Sequence, residues 1–260
     1  MGIDNSSKDS DFLTTKVGIK MKESSSGEFQ TEFVVLISAA AEWKTVLTYY
    51  RDPTVQVSPF GAYFQTTLAG RQSVIFYGGW GKVSAAASTQ YVIDTWHPKL
   101  LINIGTCGGL SGRIKCGDII LVDETIIYDI YERMGDPIQA IRGYTTHIDL
   151  SYLCEPFPQK VQMGRIVSAD QDLDPDLIFK LRDEYDAFAA DWESGAIAWT
   201  AQRNRTRLLI LRGVSDLVSE AEGEIYNNNE GFTQRAEKIM LPLLKALPNW
   251  VRCAFWGNVQ

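Results

Sequence analysis

Two short stretches hold the residues in this chain best suited to chemistry. One is Arg212-Gly213-Val214-Ser215-Asp216, directly after the aliphatic run Leu208-Leu209-Ile210-Leu211. The other is Asp191-Trp192-Glu193-Ser194-Gly195-Ala196, about twenty residues upstream and at the apparent start of a helix. Asp216 would stand just beyond the end of a buried strand, where open α/β sheets gather their ligands. Carboxyl groups so placed can move a proton or hold hydroxyls and positive charge, and two of them on neighbouring elements suggest a site. Each also has a plainer use. Asp216 would cap the segment that follows, and Glu193 would favour the positive end of its helix. Taken singly, those plainer uses fit better. The joint placement beyond strand ends, with Arg212 and two glycine-rich turns, favours a site.

The first of those turns, Gly78-Gly79-Trp80-Gly81-Lys82, follows one strand and opens a helix, so its amides can come close to a bound polar group. It lacks the first glycine and the Ser/Thr of a phosphate-binding P-loop, and its glycines do not have dinucleotide-fold spacing. A simple tight turn explains it equally well. The second, Gly105-Thr106-Cys107-Gly108-Gly109, follows the next strand and puts both turns at the same edge of the sheet. Cys107 has no histidine close in the motif, and small cysteines pack well in cores, so packing is preferred to a nucleophilic role.

These turns and carboxylates need a scaffold, and the apolar pattern describes one. Continuous aliphatic runs at Phe33 to Ile37, Val74 to Tyr77, Leu100 to Ile104, Ile119 to Val122, Arg165 to Val167 and Leu208 to Leu211 read as strands buried on both faces. Helical patterns lie between them at Glu42 to Tyr50, Lys82 to Trp96, Pro175 to Tyr185, Glu193 to Arg203 and Gly231 to Leu247. In the second helix Val83, Ala86, Ala87, Val92 and Ile93 fall largely on one face, and Pro98 closes the segment. Strands alternating with helices predict a three-layer α/β/α fold with a central mixed, mainly parallel sheet. Tyr128 to Pro158 has no clear period and reads as a substrate-covering loop, a subunit contact or a long connection. Residues 1–31 are poor in apolar periodicity and read as a flexible extension ahead of a catalytic domain at 32–260.

With 260 residues, 45% of them hydrophobic, the chain has material for one large core. A net charge of −7 and the lack of any Lys/Arg-rich run argue against nucleic acid or an anionic membrane as partner, because both need clustered positive charge. A small molecule is the expected partner. No stretch approaches the roughly 18 to 20 apolar residues of a spanning helix, and no secretory signal is apparent, so a cytoplasmic location is expected. Cys107, Cys116, Cys154 and Cys253 show no CxxC spacing, and His97 and His147 are the only histidines. Neither a metal site nor a disulfide scaffold is expected.

Five segments in order give the chain a family likeness: Gly79-Trp80-Gly81-Lys82-Val83, Asn103-Ile104-Gly105-Thr106-Cys107-Gly108-Gly109, Ser168-Ala169-Asp170, Asp191-Trp192-Glu193-Ser194-Gly195-Ala196 and Arg212-Gly213-Val214-Ser215-Asp216. From about Phe33 to Leu247 it resembles the nucleoside phosphorylase superfamily, and within it the 5′-methylthioadenosine/S-adenosylhomocysteine nucleosidases. The resemblance implies hydrolysis of the bond between a purine and C1′ of ribose, with neither metal nor organic cofactor, in a homodimer whose pockets are completed across the interface. In that chemistry the sugar becomes cationic as the base departs as an anion.

By the same resemblance, Asp216 is the general acid that protonates purine N7, which a poorly solvated site favours by raising the carboxyl pKa. Glu193 fixes the 2′ and 3′ hydroxyls, and Trp192 lies against the nucleoside or packs the helix start. Glu42, in Ser38-Ala39-Ala40-Ala41-Glu42-Trp43, is the base that activates water, or else a plain helix-start acid. Arg212, Ser215, Gly79, Cys107, Gly108 and Leu173 are placed around the substrate, and Asp170 supports them. Phosphorylases of the purine type carry an arginine where this chain has Asn103. A multiply charged phosphate needs cationic donors, so the neutral amide favours water. A phosphate-dependent purine nucleoside phosphorylase and a purine-binding protein without catalysis are the alternatives. Trp192 replaces a methionine frequent in bacterial nucleosidases, and the segment from Tyr128 to Pro158 has no evident counterpart.

Overall fold

The computed structural model describes residues 30–219 and 229–256. The extension expected over residues 1–31 lies outside the described residues except for its last two. Among the described residues ten strands form one sheet: β1 Phe33–Ile37, β2 Gln56–Ser58, β3 Gly61–Leu68, β4 Arg71–Tyr77, β5 Leu100–Leu110, β6 Ile119–Ile127, β7 Thr145–His147, β8 Gln162–Ser168, β9 Ala187–Asp191 and β10 Leu208–Val218. Five α-helices accompany them: α1 Ala40–Tyr49, α2 Gly81–Trp96, α3 Pro137–Arg142, α4 Ser194–Arg203 and α5 Asn229–Trp256. The predicted central mixed sheet is present. Every residue of β1 is buried, as a continuous aliphatic run covered on both faces requires.

Strands β4, β1, β5 and β10 run parallel in that spatial order, with Phe33 between Ser73 and Leu100, and Leu101 beside Leu208. The antiparallel hairpin β2–β3 extends the β4 edge. At the other side the sheet curls back on itself. Strand β10 pairs antiparallel with β6, β6 and β8 run parallel, β8 and β9 run parallel, and β9 returns antiparallel to β5 through Gly108 and Gly109 opposite Ala190 and Ala189. This closed ring of five strands draws the C-terminal ends of β5, β9 and β10 together.

Several elements differ from the sequence expectation. Gly105 to Gly109 and Arg212 to Asp216 are not turns; they continue β5 and β10, which stay paired to Leu110 and Val218 with one register shift between Val214 and Asp216. Glycine in a chain reads as punctuation, but here it marks close approach inside a strand. A Cβ on Gly105 would lie 2.2 Å from Arg212 Nη1, and one on Gly109 would lie 2.7 Å from Val214 Cγ1. Strand β9 was not foreseen, and Asp191 ends it rather than opening a helix. Residues 175–185 form a short 3-10 turn, Pro175–Leu177, and a π-helical turn, Lys180–Glu184, in place of the expected helix. Within Tyr128 to Pro158 lie α3 and β7, the latter paired to β6 through Glu124 opposite His147.

The helices cover the sheet through unequal faces. Helix α2 buries Ala85, Ser88, Thr89, Val92 and Ile93 and stops at His97 in a left-handed conformation; Val83, expected on the apolar face, is exposed. Helix α5 runs past Leu247, where the helical pattern was expected to end, and carries both Pro242 and Pro248. An interior proline costs about 3 kcal/mol. Burying each of Leu243, Leu244, Leu247, Trp250 and Val251 completely contributes about 1.5–3 kcal/mol, which more than offsets two prolines. This face packs with Trp43 and Val46 of α1 and with Phe33 and Ile102 of the sheet, and so holds the start of α1 against the end of β1.

Candidate active site

Glu42 enters the site from the first turn of α1, where it is buried. Its Oε2 accepts the Ala39 N–H at 3.1 Å, so the helix-start role is present. Its Oε1 does something a helix start does not need: it accepts the Thr106 N–H at 2.6 Å and the Thr106 hydroxyl at 2.9 Å. Gly105 makes that possible. Its missing side chain leaves the space that Glu42 and Arg212 occupy, since a Cβ there would fall 2.9 Å from Glu42 Oε1 as well as against Arg212.

Arg212 is held on β10 with its side chain 1% exposed and donates from Nε to Asp191 Oδ2 at 2.7 Å and to Ser194 Oγ at 3.0 Å. Asp191 in turn accepts the Ser168 hydroxyl at 2.6 Å and the Ser194 N–H at 3.1 Å. Burial by itself would lower the guanidinium pKa; the carboxylates of Asp191, Glu42 and Glu193 outweigh it, and the pKa is raised. Arg212 Nη2 is buried without a hydrogen-bond partner among the described residues. One guanidinium thus sits among three carboxyl groups.

Glu193 occupies the N-cap position of α4 but does not cap it. Its Oε1 reaches across to accept the Gly81 N–H of α2 at 3.0 Å. Burial, followed by the negative charge of Asp191, pushes its pKa up to about 8, against the opposing pull of Arg212 and the Gly81 amide. Gly79 and Gly81 both have φ near +80° (81° and 84°), a conformation open to glycine at no steric cost. Between them Trp80, half exposed, stacks on Trp192 with ring centroids 4.4 Å apart.

Ser215 sits in the register shift of β10 and Asp216 just past it, and both are buried. The Ser215 hydroxyl is 2.6 Å from Asp216 Oδ1 and 3.2 Å from the Cys107 carbonyl. A hydroxyl has one proton to give. When Asp216 is ionised, Ser215 donates to it; when Asp216 is protonated, Ser215 accepts from it and donates to Cys107 O. The pair accommodates either state without leaving an orphan. Leu173 Cδ1 and Asp216 Oδ2 approach the Cβ position of Gly108 within 3.2 and 3.8 Å, which gathers these three residues on one wall.

Cys107 contributes its backbone rather than its sulfur. The thiol lies against the Gly213 carbonyl, 3.7 Å away, and burial first, then the charge of Asp191, pushes its pKa well above the usual thiol value. Asn103 is fully buried and donates to the Leu36 carbonyl at 2.9 Å, joining β5 to β1 rather than facing an anion. Thr106, Ser168, Asp191 and Ser194, which fix Glu42 and Arg212, were not among the expected site residues, and neither was Trp80. All of these stood inside segments singled out in the sequence, but nothing there marked Thr106 as the partner of Glu42.

Residues 33–247 match the family model described as the phosphorylase superfamily. The chain belongs to that superfamily. Among its relatives, the 5′-methylthioadenosine/S-adenosylhomocysteine nucleosidase of Staphylococcus haemolyticus is 28% identical over 197 residues, covering 71% of this chain and 85% of the relative. The Helicobacter pylori enzyme of the same name, crystallised with butyl-thio-DADMe-Immucillin-A, superposes with a TM-score of 0.71 at 19% identity, covering 86% of this chain and 99% of that one. A futalosine hydrolase mutant from Helicobacter pylori superposes at 0.70 with 16% identity, covering 84% and 99%. In this superfamily member the likeness spans every element from β1 through most of α5.

Proposed function

We propose that this chain hydrolyses the N-glycosidic bond of a purine nucleoside such as 5′-methylthioadenosine or S-adenosylhomocysteine. The observation that carries the reading is the gathering of carboxyl groups near the closed end of the sheet: Glu42 at Gly105 and Thr106, Asp216 at Gly108, and Glu193 at Gly81, close enough to feel the charges of Arg212 and Glu42. Similarity to proteins named as such nucleosidases supports it.

In this mechanism Asp216 gives its proton to purine N7 as the C1′–N9 bond breaks. A neutral leaving base is thereby released instead of an anion. Glu193 accepts hydrogen bonds from the ribose hydroxyls, and its ionised form steadies the developing positive charge. A water oxygen bonds to C1′ while its proton passes to Glu42, whose place is held by Thr106 and Ala39. Arg212, pinned by Asp191, sets its positive charge beside Glu42.

The charge balance around Arg212 favours water over phosphate. Asp191, Glu42 and Glu193 already surround its single positive charge, and a phosphate dianion placed there would meet more repulsion than attraction. Asn103 offers no compensation, since its amide is engaged by Leu36. We further assign catalysis to residues 32–260, a homodimer as the working form and the cytoplasm as its location. No helix among the described residues is long and apolar enough to cross a membrane.

A panel of purine nucleosides, with free base measured by chromatography in phosphate-free and phosphate-containing buffer, tests the reading. Equal base release in both buffers supports hydrolysis, and dependence on phosphate overturns it. Binding of purine without release from any nucleoside overturns catalysis altogether.

A further inference from the structure

The first amides of a helix have no partners within it, and the N-cap of α2, Trp80, supplies no side-chain cap. Two carboxylates from distant elements do so instead. Glu193 takes the Gly81 N–H at 3.0 Å, and Asp170, just past β8, takes the Lys82 N–H at 2.7 Å. The Lys82 ammonium then folds back onto Asp129, just past β6, and lies 3.7 Å from Asp170 Oδ2. Asp129 Oδ2 closes the loop by accepting the Asp170 N–H at 3.1 Å. The Lys82 and Asp129 side chains are 18% and 20% exposed, so that pair is screened less than a surface pair, while the Asp170 side chain is 41% exposed.

The Gly81 and Lys82 amides lie in adjacent peptide planes joined at the Gly81 Cα, so Glu193 and Asp170 hold the two sides of one glycine hinge at the start of α2. With Lys82 held by Asp170 and Asp129, the directions open to the Gly81 N–H are narrowed, and with them the place of the Glu193 carboxylate that accepts it. The fit is close: a Cβ on Gly81 would come within 3.1 Å of Asp170 Oδ1. We infer that Asp170, through the Lys82–Asp129 clamp, is a positioning residue that sets the Glu193 carboxylate at the depth needed to engage the ribose hydroxyls, and so enforces the choice of ribonucleoside over 2′-deoxynucleoside. The inference rests on the reading of Glu193 as the ribose anchor.

The test measures kcat and KM for the best nucleoside of the panel and for its 2′-deoxy analogue in wild type, Asp170→Ala, Asp170→Asn and Glu193→Gln. Asp170→Ala is expected to lower kcat/KM for the ribonucleoside about tenfold while changing the deoxy substrate by less than threefold. Asp170→Asn keeps an acceptor for the Lys82 amide and should recover most of the discrimination. In a Glu193→Gln background, Asp170→Ala should change the ribo/deoxy ratio by less than twofold, because the two side chains act through one contact. A purely structural role would slow both substrates alike and would persist in that background.

If Glu193→Gln leaves the ratio intact, the ribose-anchor reading fails, and the inference with it. If Glu193→Gln collapses the ratio but Asp170→Ala does not, the inference alone is overturned. Should Asp170→Ala not fold, Asp170→Ser, whose side chain is too short for the Lys82 amide, is judged by the same ratio.

Discussion

Gly105→Ala adds one methyl group where the structure has least room for it. The backbone there is ordinary extended strand, so the substitution carries no conformational penalty and its effect is steric. The new Cβ would sit 2.2 Å from Arg212 Nη1 and 2.9 and 3.2 Å from the two Glu42 oxygens. These are side-chain tips, but neither is free to swing aside. Arg212 is tethered at Nε by Asp191 and Ser194 inside the core, and Glu42 is tethered by Thr106 and Ala39. Relief requires loosening at least one charge-assisted hydrogen bond, worth about 1.5–3 kcal/mol, on top of an overpacking cost of about 1–3 kcal/mol. A loss of about 2.5–6 kcal/mol corresponds to a fall in Tm of roughly 5 to 24 °C for a domain of this size. A shift of about 1 Å in a catalytic group can cost on the order of a hundredfold in rate, so kcat should fall by about that factor even where the protein remains folded. Calorimetry and steady-state base release check both numbers. Gly70→Ala is the control, because a Cβ there meets nothing within 4 Å and bears only the strain of φ +77°. A Gly105→Ala enzyme within threefold of wild-type kcat and within 2 °C of its Tm would refute the packing of Glu42 and Arg212 described above.

Other consequences follow from the same geometry. Asp216→Asn should leave nucleoside binding within about threefold and lower kcat at least a hundredfold, which calorimetric titration and turnover assays will separate. For Glu193, a folded-state pKa of about 8 stands above the ordinary 4.5, so between those values the folded chain binds more protons than the unfolded one. Stability must therefore fall as pH rises from about 4.5 to 8 and level off above; the slope of Tm against pH over that window should flatten in Glu193→Gln, and an unchanged slope would contradict the assigned environment. Native protein treated with iodoacetamide at pH 8 should be modified at exposed Cys116 and spared at buried Cys107, whose thiol stays protonated; mass spectrometry reads the result.

The site was legible in the sequence to the extent that its residues sit in contiguous segments. Arg212 to Asp216, Asp191 to Ala196 and Gly105 to Gly109 could be picked out, and so could β5 and β10, though not β9, which ends in Asp191. Strands covered on both faces announce themselves by unbroken aliphatic runs, a property of neighbouring residues, as β1 shows with all five positions buried. The same locality misled where glycines suggested turns. Gly105 and Gly108 are glycine because of Glu42, Arg212, Leu173 and Asp216, which lie far away along the chain.

Sequence alone therefore determined which residues could do chemistry, which strands would be buried, and that positive charge for nucleic acid was lacking. Tertiary structure decided who partners whom. Thr106 meets Glu42 across 64 positions and Arg212 meets Asp191 across 21; the pairing of β1 with β5 brings the first two within reach, and closure of β5, β6, β8, β9 and β10 into a ring the second. A hydrogen bond depends on a separation of about 3 Å, a distance that chain order does not encode once the partners lie on different strands.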